Sequence, residues 1–121
     1  MNLATVGWIA LGAGFGAPLR FIIDRVVTEK SASSRVPLGL LAVNIFGSAL
    51  LGIVLGLNNP TLIVVIGSGF CGALTTFSGF AWESNELWRQ RRADFWIFIT
   101  AMVVLCVLAF WLTWKVTSAL V

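Results

Sequence analysis

Gly72-Ala-Leu-Thr-Thr-Phe-Ser-Gly-Phe80 sets hydroxyls, glycines and two phenylalanines in the middle of an otherwise apolar, helix-forming stretch. A helix facing only lipid has no use for such a run. Water is absent from the hydrocarbon core, so backbone groups freed from a helix survive there only beside protein partners or a wet cavity. A broken membrane helix therefore reads as an ion or substrate site.

The surrounding composition fixes the membrane. Of 121 residues, 59% are hydrophobic and 11% are charged, whereas a soluble domain carries roughly a quarter charged residues. With mean hydropathy +0.97 and about 20 residues per span, the chain divides into four transmembrane helices and short loops. Residues 1–121 are read as one four-helix transmembrane domain, all-α, with no room for a soluble domain.

Met1 to Ala17 lacks the basic region of a signal peptide, although Gly12-Ala-Gly14 has the small residues of a cleavage site, so it is read as the first helix. Cys71 and Cys106 fall inside spans and read as apolar thiols, with neither a disulfide nor chemistry assigned. There is no histidine, and the five acids are scattered. No His-based metal site or Ser-His-Asp constellation can be assembled, and an enzyme is not expected. The net charge of +3 does not point to nucleic acid, because most basic residues flank helices, as positive-inside placement requires.

Helix 1 is expected from Leu3 to Ile23, with Gly7, Gly12, Gly14 and Gly16 admitting a neighbouring backbone. A polar loop, Asp24 to Val36, leads to Pro37 and helix 2, which runs to about Leu57. Asn44, Ser48, Gly52 and Gly56 recur every fourth residue, a small polar stripe that must face protein. After the Asn58-Asn59-Pro60 turn, helix 3 covers Thr61 to Trp88, broken between Gly72 and Ser78. Arg89 to Asp94 forms a basic loop, and helix 4 runs from Phe95 to Trp114. Trp82, Trp88, Trp96, Trp111 and Trp114 sit near span ends, where interfacial aromatic belts occur.

Both basic loops share one membrane face, carrying Arg25, Lys30, Arg35, Arg89, Arg91 and Arg92, with Arg20 at the border; the other face has Lys115. The loops are thus expected in the cytoplasm and both termini outside.

Phe77 and Phe80, three apart, share a helix face. Their ring edges carry partial positive charge and attract an anion without the deep trap of a buried arginine. Asn44 offers amide N–H groups, and Thr76 and Ser78 offer hydroxyls at similar depth if helices 2 and 3 are neighbours. The bland alternative is ordinary packing for the phenylalanines, interhelical bonding for Asn44, and hydroxyls bonded to nearby carbonyls. Arg20 is either a pore-mouth charge that concentrates anions or a snorkelling anchor. Glu83 follows Phe80 by three and costs about 2.5 to 3.5 kcal/mol to bury in lipid, so it is expected against protein or water. The break also frees carbonyls, which could hold a monovalent cation if two chains met there in opposite directions.

Three blocks occur in order: Gly12-Ala-Gly-Phe-Gly-Ala-Pro-Leu-Arg20-Phe21, Pro37-Leu-Gly-Leu-Leu-Ala-Val-Asn44-Ile-Phe-Gly47-Ser48, and Gly69-Phe-Cys-Gly72-Ala-Leu-Thr75-Thr76-Phe77-Ser78-Gly79-Phe80. Over about Gly12 to Glu86 the chain closely resembles the CrcB/Fluc fluoride channel family. The resemblance implies a passive channel of the bacterial inner membrane that exports cytoplasmic fluoride and gives fluoride resistance. It also implies an antiparallel (inverted) dimer with two pores and a structural Na+ at the interface. By position, Asn44 resembles the pore amide, Phe77 and Phe80 the pore aromatics, Ser78 a pore hydroxyl and Arg20 the vestibule arginine. The Gly72 and Thr75 carbonyls resemble the Na+ ligands. The chain departs from the family at Leu40, Gly79 and Ala81, where hydroxyl residues are frequent, and has no tyrosine, leaving Thr100 as the substitute in the helix 4 polar track.

The partner is expected to be a second copy or a homologous small membrane protein in inverted orientation, and the lopsided basic residues favour the latter. The competing class is a proton-coupled cation exporter of the small multidrug resistance type, which wants a carboxylate in helix 1; none occurs between Leu3 and Ile23. A structural membrane subunit without transport is the remaining reading.

Overall fold

The computed structural model describes residues 1–121 and contains only helices and turns. Four spans cross in sequence: α1 (Leu3–Lys30), α2 (Leu38–Gly56), α3 (Pro60–Gln90) and α4 (Arg92–Leu120). All four are long and apolar enough to cross a bilayer.

Two helices outrun their apolar stretches. The expected end of helix 1 at Ile23 moves to Lys30, because Arg25 and Glu29 are good helix formers and pair at 2.9 Å one turn apart. Ser31 closes α1 with its backbone N–H and its hydroxyl both donating to the Val27 carbonyl. The polar loop shrinks to residues 31–37. Likewise α4 begins at Arg92 rather than Phe95 and continues to Leu120, with Asp94 in its first turn, 3.1 Å from Arg91. An acid there complements the helix dipole. Hydropathy marks where the membrane stops, not where the hydrogen bonds stop.

The turn into α3 depends on local chemistry. Asn58 adopts φ 52, a left-handed conformation that asparagine tolerates better than most residues. Asn59 caps the next turn, accepting from the N–H groups of Thr61 and Leu62 at 3.0 and 3.2 Å, and Pro60 takes the first helical position.

α2 is the most enclosed span. Leu40, Leu41 and Val43 join Leu87, Phe98 and Met102 in one cluster, tying α2 to both α3 and α4. The α2 stripe does face protein, and it meets different neighbours along its length. Gly52 lies against Thr113 and Phe110, and Gly56 against Thr117, where an added Cβ would come within 2.6 Å of the threonine Cβ. Thr113 Oγ1 donates across to the Ala49 carbonyl at 2.8 Å.

α1 packs on α3 through glycine. A Cβ at Gly12 would sit 2.9 Å from the Phe70 nitrogen, and one at Gly69 would sit 2.6 Å from the Ile9 carbonyl. Backbone-to-backbone approach of this kind is how membrane helices gain contact without a hydrophobic driving force. Gly12 and Gly16 serve this contact, while Gly7 and Gly14 face open space.

Candidate ion site at the helix 3 break

α3 is not one regular helix. Ile63–Cys71 is π-helical, a form usually confined to single turns near functional sites. After the short turn Gly72–Leu74, Thr75 and Thr76 are extended, at φ/ψ of -82/160 and -148/124. The helix restarts at Phe77, and the span is bent by 24°. Within the expected Gly72 to Ser78 window, the interruption narrows to two threonines.

Several of the groups at this point have side-chain partners. The Thr76 N–H donates to Asn44 Oδ1 at 2.9 Å, and Asn44 Nδ2 donates to the Thr76 carbonyl at 3.3 Å. The second Nδ2 contact is Met102 Sδ at 3.5 Å. Thr76 Oγ1 accepts from the Gly79 N–H at 3.1 Å, capping the second arm of α3. Ser78 Oγ lies 3.1 Å from Thr76 Oγ1. Thr75 Oγ1 donates back to the Cys71 carbonyl at 3.0 Å, and its methyl fills the space left by the missing side chain of Gly47. No backbone turn closes over Thr75 and Thr76, so the carbonyls of Gly72, Ala73, Leu74 and Thr75 lose the donors a continuous helix would supply.

Two open cavities meet here. On the loop side, a vestibule of about 870 Å³ is lined by Arg20, Asp24, Arg35, Ser78, Glu83 and Arg91 among others. On the mid-span side, a groove of about 460 Å³ is lined by Asn44, Ser48, Gly72, Phe77, Phe80, Met102 and Cys106 among others. Thr76 is the one residue that borders both. The vestibule carries both signs of charge at once; the groove carries none.

The two phenylalanines lie as expected, with ring centroids 5.7 Å apart. They differ in support. Phe80 also meets Phe98 at 5.7 Å, whereas Phe77 is 79% exposed. Arg20 and Glu83 both border the vestibule rather than the groove. Gly72 faces open space, so its surface is free to meet another chain.

Thr100 is exposed on the single chain and borders neither cavity; Met102 and Cys106 form part of the α4 wall of the groove. Cys106 was read in sequence as an apolar thiol and Met102 gave no signal at all, because sulfur side chains within a span look like filler. Gly47 was also silent by itself, and only the threonine methyl seated on it explains the choice.

A family model described as "CrcB-like protein, Camphor Resistance (CrcB)" matches residues 7–114. A protein named fluoride-specific ion channel FluC 1 from Nocardia farcinica is 49% identical over 83 residues, covering 68% of this chain and 58% of that relative's length. Another of the same name from Geobacillus kaustophilus is 38% identical over 108 residues, 88% of this chain and 90% of the relative. Fluoride-specific ion channel FluC 2 from Rhodococcus jostii is 36% identical over 116 residues, 94% of this chain and 99% of the relative.

Proposed function

Because this chain belongs to the CrcB-like family, we propose that it is a multi-pass bacterial membrane protein that conducts fluoride passively out of the cell. It is a channel and not an enzyme. The observation that carries the reading is the position of Thr76, which alone borders both a charged, open vestibule and an uncharged groove edged by Phe77 and Phe80.

The ion is attracted at the vestibule by Arg20 and sheds water where Thr76 and Ser78 present hydroxyls. Asn44 contributes through the N–H now aimed at Met102, because a thioether is a weak acceptor that an anion readily replaces. Phe77 and Phe80 then offer ring edges, an attraction shallow enough to permit departure. A negative-inside potential supplies about 2.3 kcal/mol per charge for each 100 mV, so no energy source beyond the gradient is required.

The groove is open on one side, and a second chain is needed to close it. The conducting unit is an antiparallel dimer. The carbonyls of Gly72 and Thr75, deprived of helix donors, suit a structural Na+: an uncharged, all-oxygen donor set fits a hard monovalent cation, and one chain supplies only half of a shell.

Basic residues bias the pairing. Arg25, Lys30, Arg35, Arg89, Arg91 and Arg92 lie at one end of the spans and Lys115 at the other. Such a chain inserts one way, loops in the cytoplasm, so its inverted partner is a homologous chain of opposite bias. Robust transport by the purified chain alone, as an antiparallel homodimer, would reject the heterodimer.

The decisive experiment is ion efflux from liposomes containing the chain, alone and with a candidate partner, with chloride as control. Fluoride efflux without chloride efflux is expected; equal fluxes would defeat selectivity.

A further inference from the structure

A second organised cluster stands where α3 hands over to α4. Trp88, Phe95 and Trp96 interlock edge to face, with centroids 4.9 Å apart for Trp88–Phe95, 5.1 Å for Phe95–Trp96 and 6.5 Å for Trp88–Trp96. The Arg92 guanidinium lies over the Trp88 ring, 4.5 Å from its centroid. The cluster is a surface feature: Trp88 and Trp96 are exposed, as are Arg89 and Arg92.

The arginines here are not equivalent. Arg91 is committed, paired with Asp94 at 3.1 Å and donating to the Arg35 carbonyl at 3.2 Å. Arg89 and Arg92 have no acidic partner and border neither the vestibule nor the groove. Ion conduction leaves them without a task. At the other end of α4, Lys115 lies 5.7 Å from the Trp114 ring, but no further aromatic ring joins that pair. The shelf is one-sided.

We infer that this corner binds an anionic phospholipid through its headgroup phosphodiester, with Arg89 and Arg92 as the cationic ligands and the Trp88 and Trp96 indoles as the shelf beneath the glycerol region. Exposed indoles at the end of a span sit at headgroup depth, and the counter-charge available there is lipid phosphate. A guanidinium held over an indole by its charge still carries N–H groups in the fork that matches phosphate oxygens.

The test uses the full chain in nanodiscs of mixed phosphatidylcholine and phosphatidylglycerol, counting retained lipids by native mass spectrometry. The wild type is expected to retain phosphatidylglycerol over phosphatidylcholine by about tenfold. R89Q/R92Q brings the two lipids to parity, R89K/R92K keeps part of the preference, and R25Q, which removes an exposed arginine already paired with Glu29, leaves it intact. Equal retention by the wild type, or an unchanged preference in R89Q/R92Q, overturns the assignment. Loss of phosphatidylglycerol to excess inorganic phosphate also overturns it, by revealing a free-anion site. Retention is read without ion flux, so the result stands apart from the channel proposal.

Discussion

Asn44 bridges the two peptide groups that flank the Thr76 Cα, accepting the Thr76 N–H at 2.9 Å and donating to the Thr76 carbonyl at 3.3 Å. A side-chain amide thus does for these two peptide groups what neighbouring turns do within a regular helix. Leaving a buried donor or acceptor unsatisfied costs about 1–3 kcal/mol. Asn44→Ala is therefore expected to lower unfolding stability in detergent by about that amount and to abolish fluoride efflux. Efflux and stability both at wild-type levels would show that the break holds itself.

Gly47 exists for Thr75. A Cβ on Gly47 would run into the Thr75 methyl, and overpacking of this kind costs about 1–3 kcal/mol. Gly47→Ala should be destabilising, and Thr75→Ser, which removes that methyl and keeps the hydroxyl bonded to Cys71, should recover most of the loss. Melting temperatures of the two single variants and the double variant close the cycle; simple additivity would mean that the two sites do not touch.

Gly12 and Gly14 make a paired control. Gly12 is pressed against the α3 backbone, while Gly14 has nothing within 4 Å. Gly12→Val should separate α1 from α3 and reduce the folded yield severalfold, whereas Gly14→Val leaves the single chain intact. Yield and monodispersity after purification separate them. A loss of dimer without loss of folded chain in Gly14→Val would place the partner on that side of α1.

Phe77 and Phe80 should separate conduction from folding. Phe80 shares ring contacts with Phe98, worth about 0.5–1.5 kcal/mol per aromatic pair, so Phe80→Ile is expected to lose both efflux and a measurable part of stability. Phe77→Ile, which loses only the ring pair with Phe80 from an exposed position, costs less stability while efflux falls. Efflux unchanged in both variants would remove the rings from the ion path.

The four spans and the interrupted third helix were legible in sequence because they rest on local signals: hydropathy, and the density of hydroxyl and glycine residues between Gly72 and Phe80. The α2 stripe was legible for the same reason, a period of four on an apolar background. The helix ends were not, since Asp24 to Lys30 and Arg92 to Asp94 continue the hydrogen-bond ladder beyond the apolar residues. Contacts that join distant segments were also hidden. Asn44 was readable as a mid-span amide, but its partner could have been any backbone group, and only the packing of α2 on α3 selects Thr76. The α4 wall of the groove at Met102 and Cys106 was hidden because sulfur side chains within a span give no polar signal.

The clamp on the break has a direction in time. Asn44 precedes Thr76 by 32 residues, so it has left the ribosome and entered the membrane with its own helix before the extended threonines emerge. The interrupted segment therefore arrives to a waiting receptor, and its bare peptide need not linger in oil. A circularly permuted chain that makes the third span first would lose that advantage and should be handed to quality control more often, although its finished contacts would be identical.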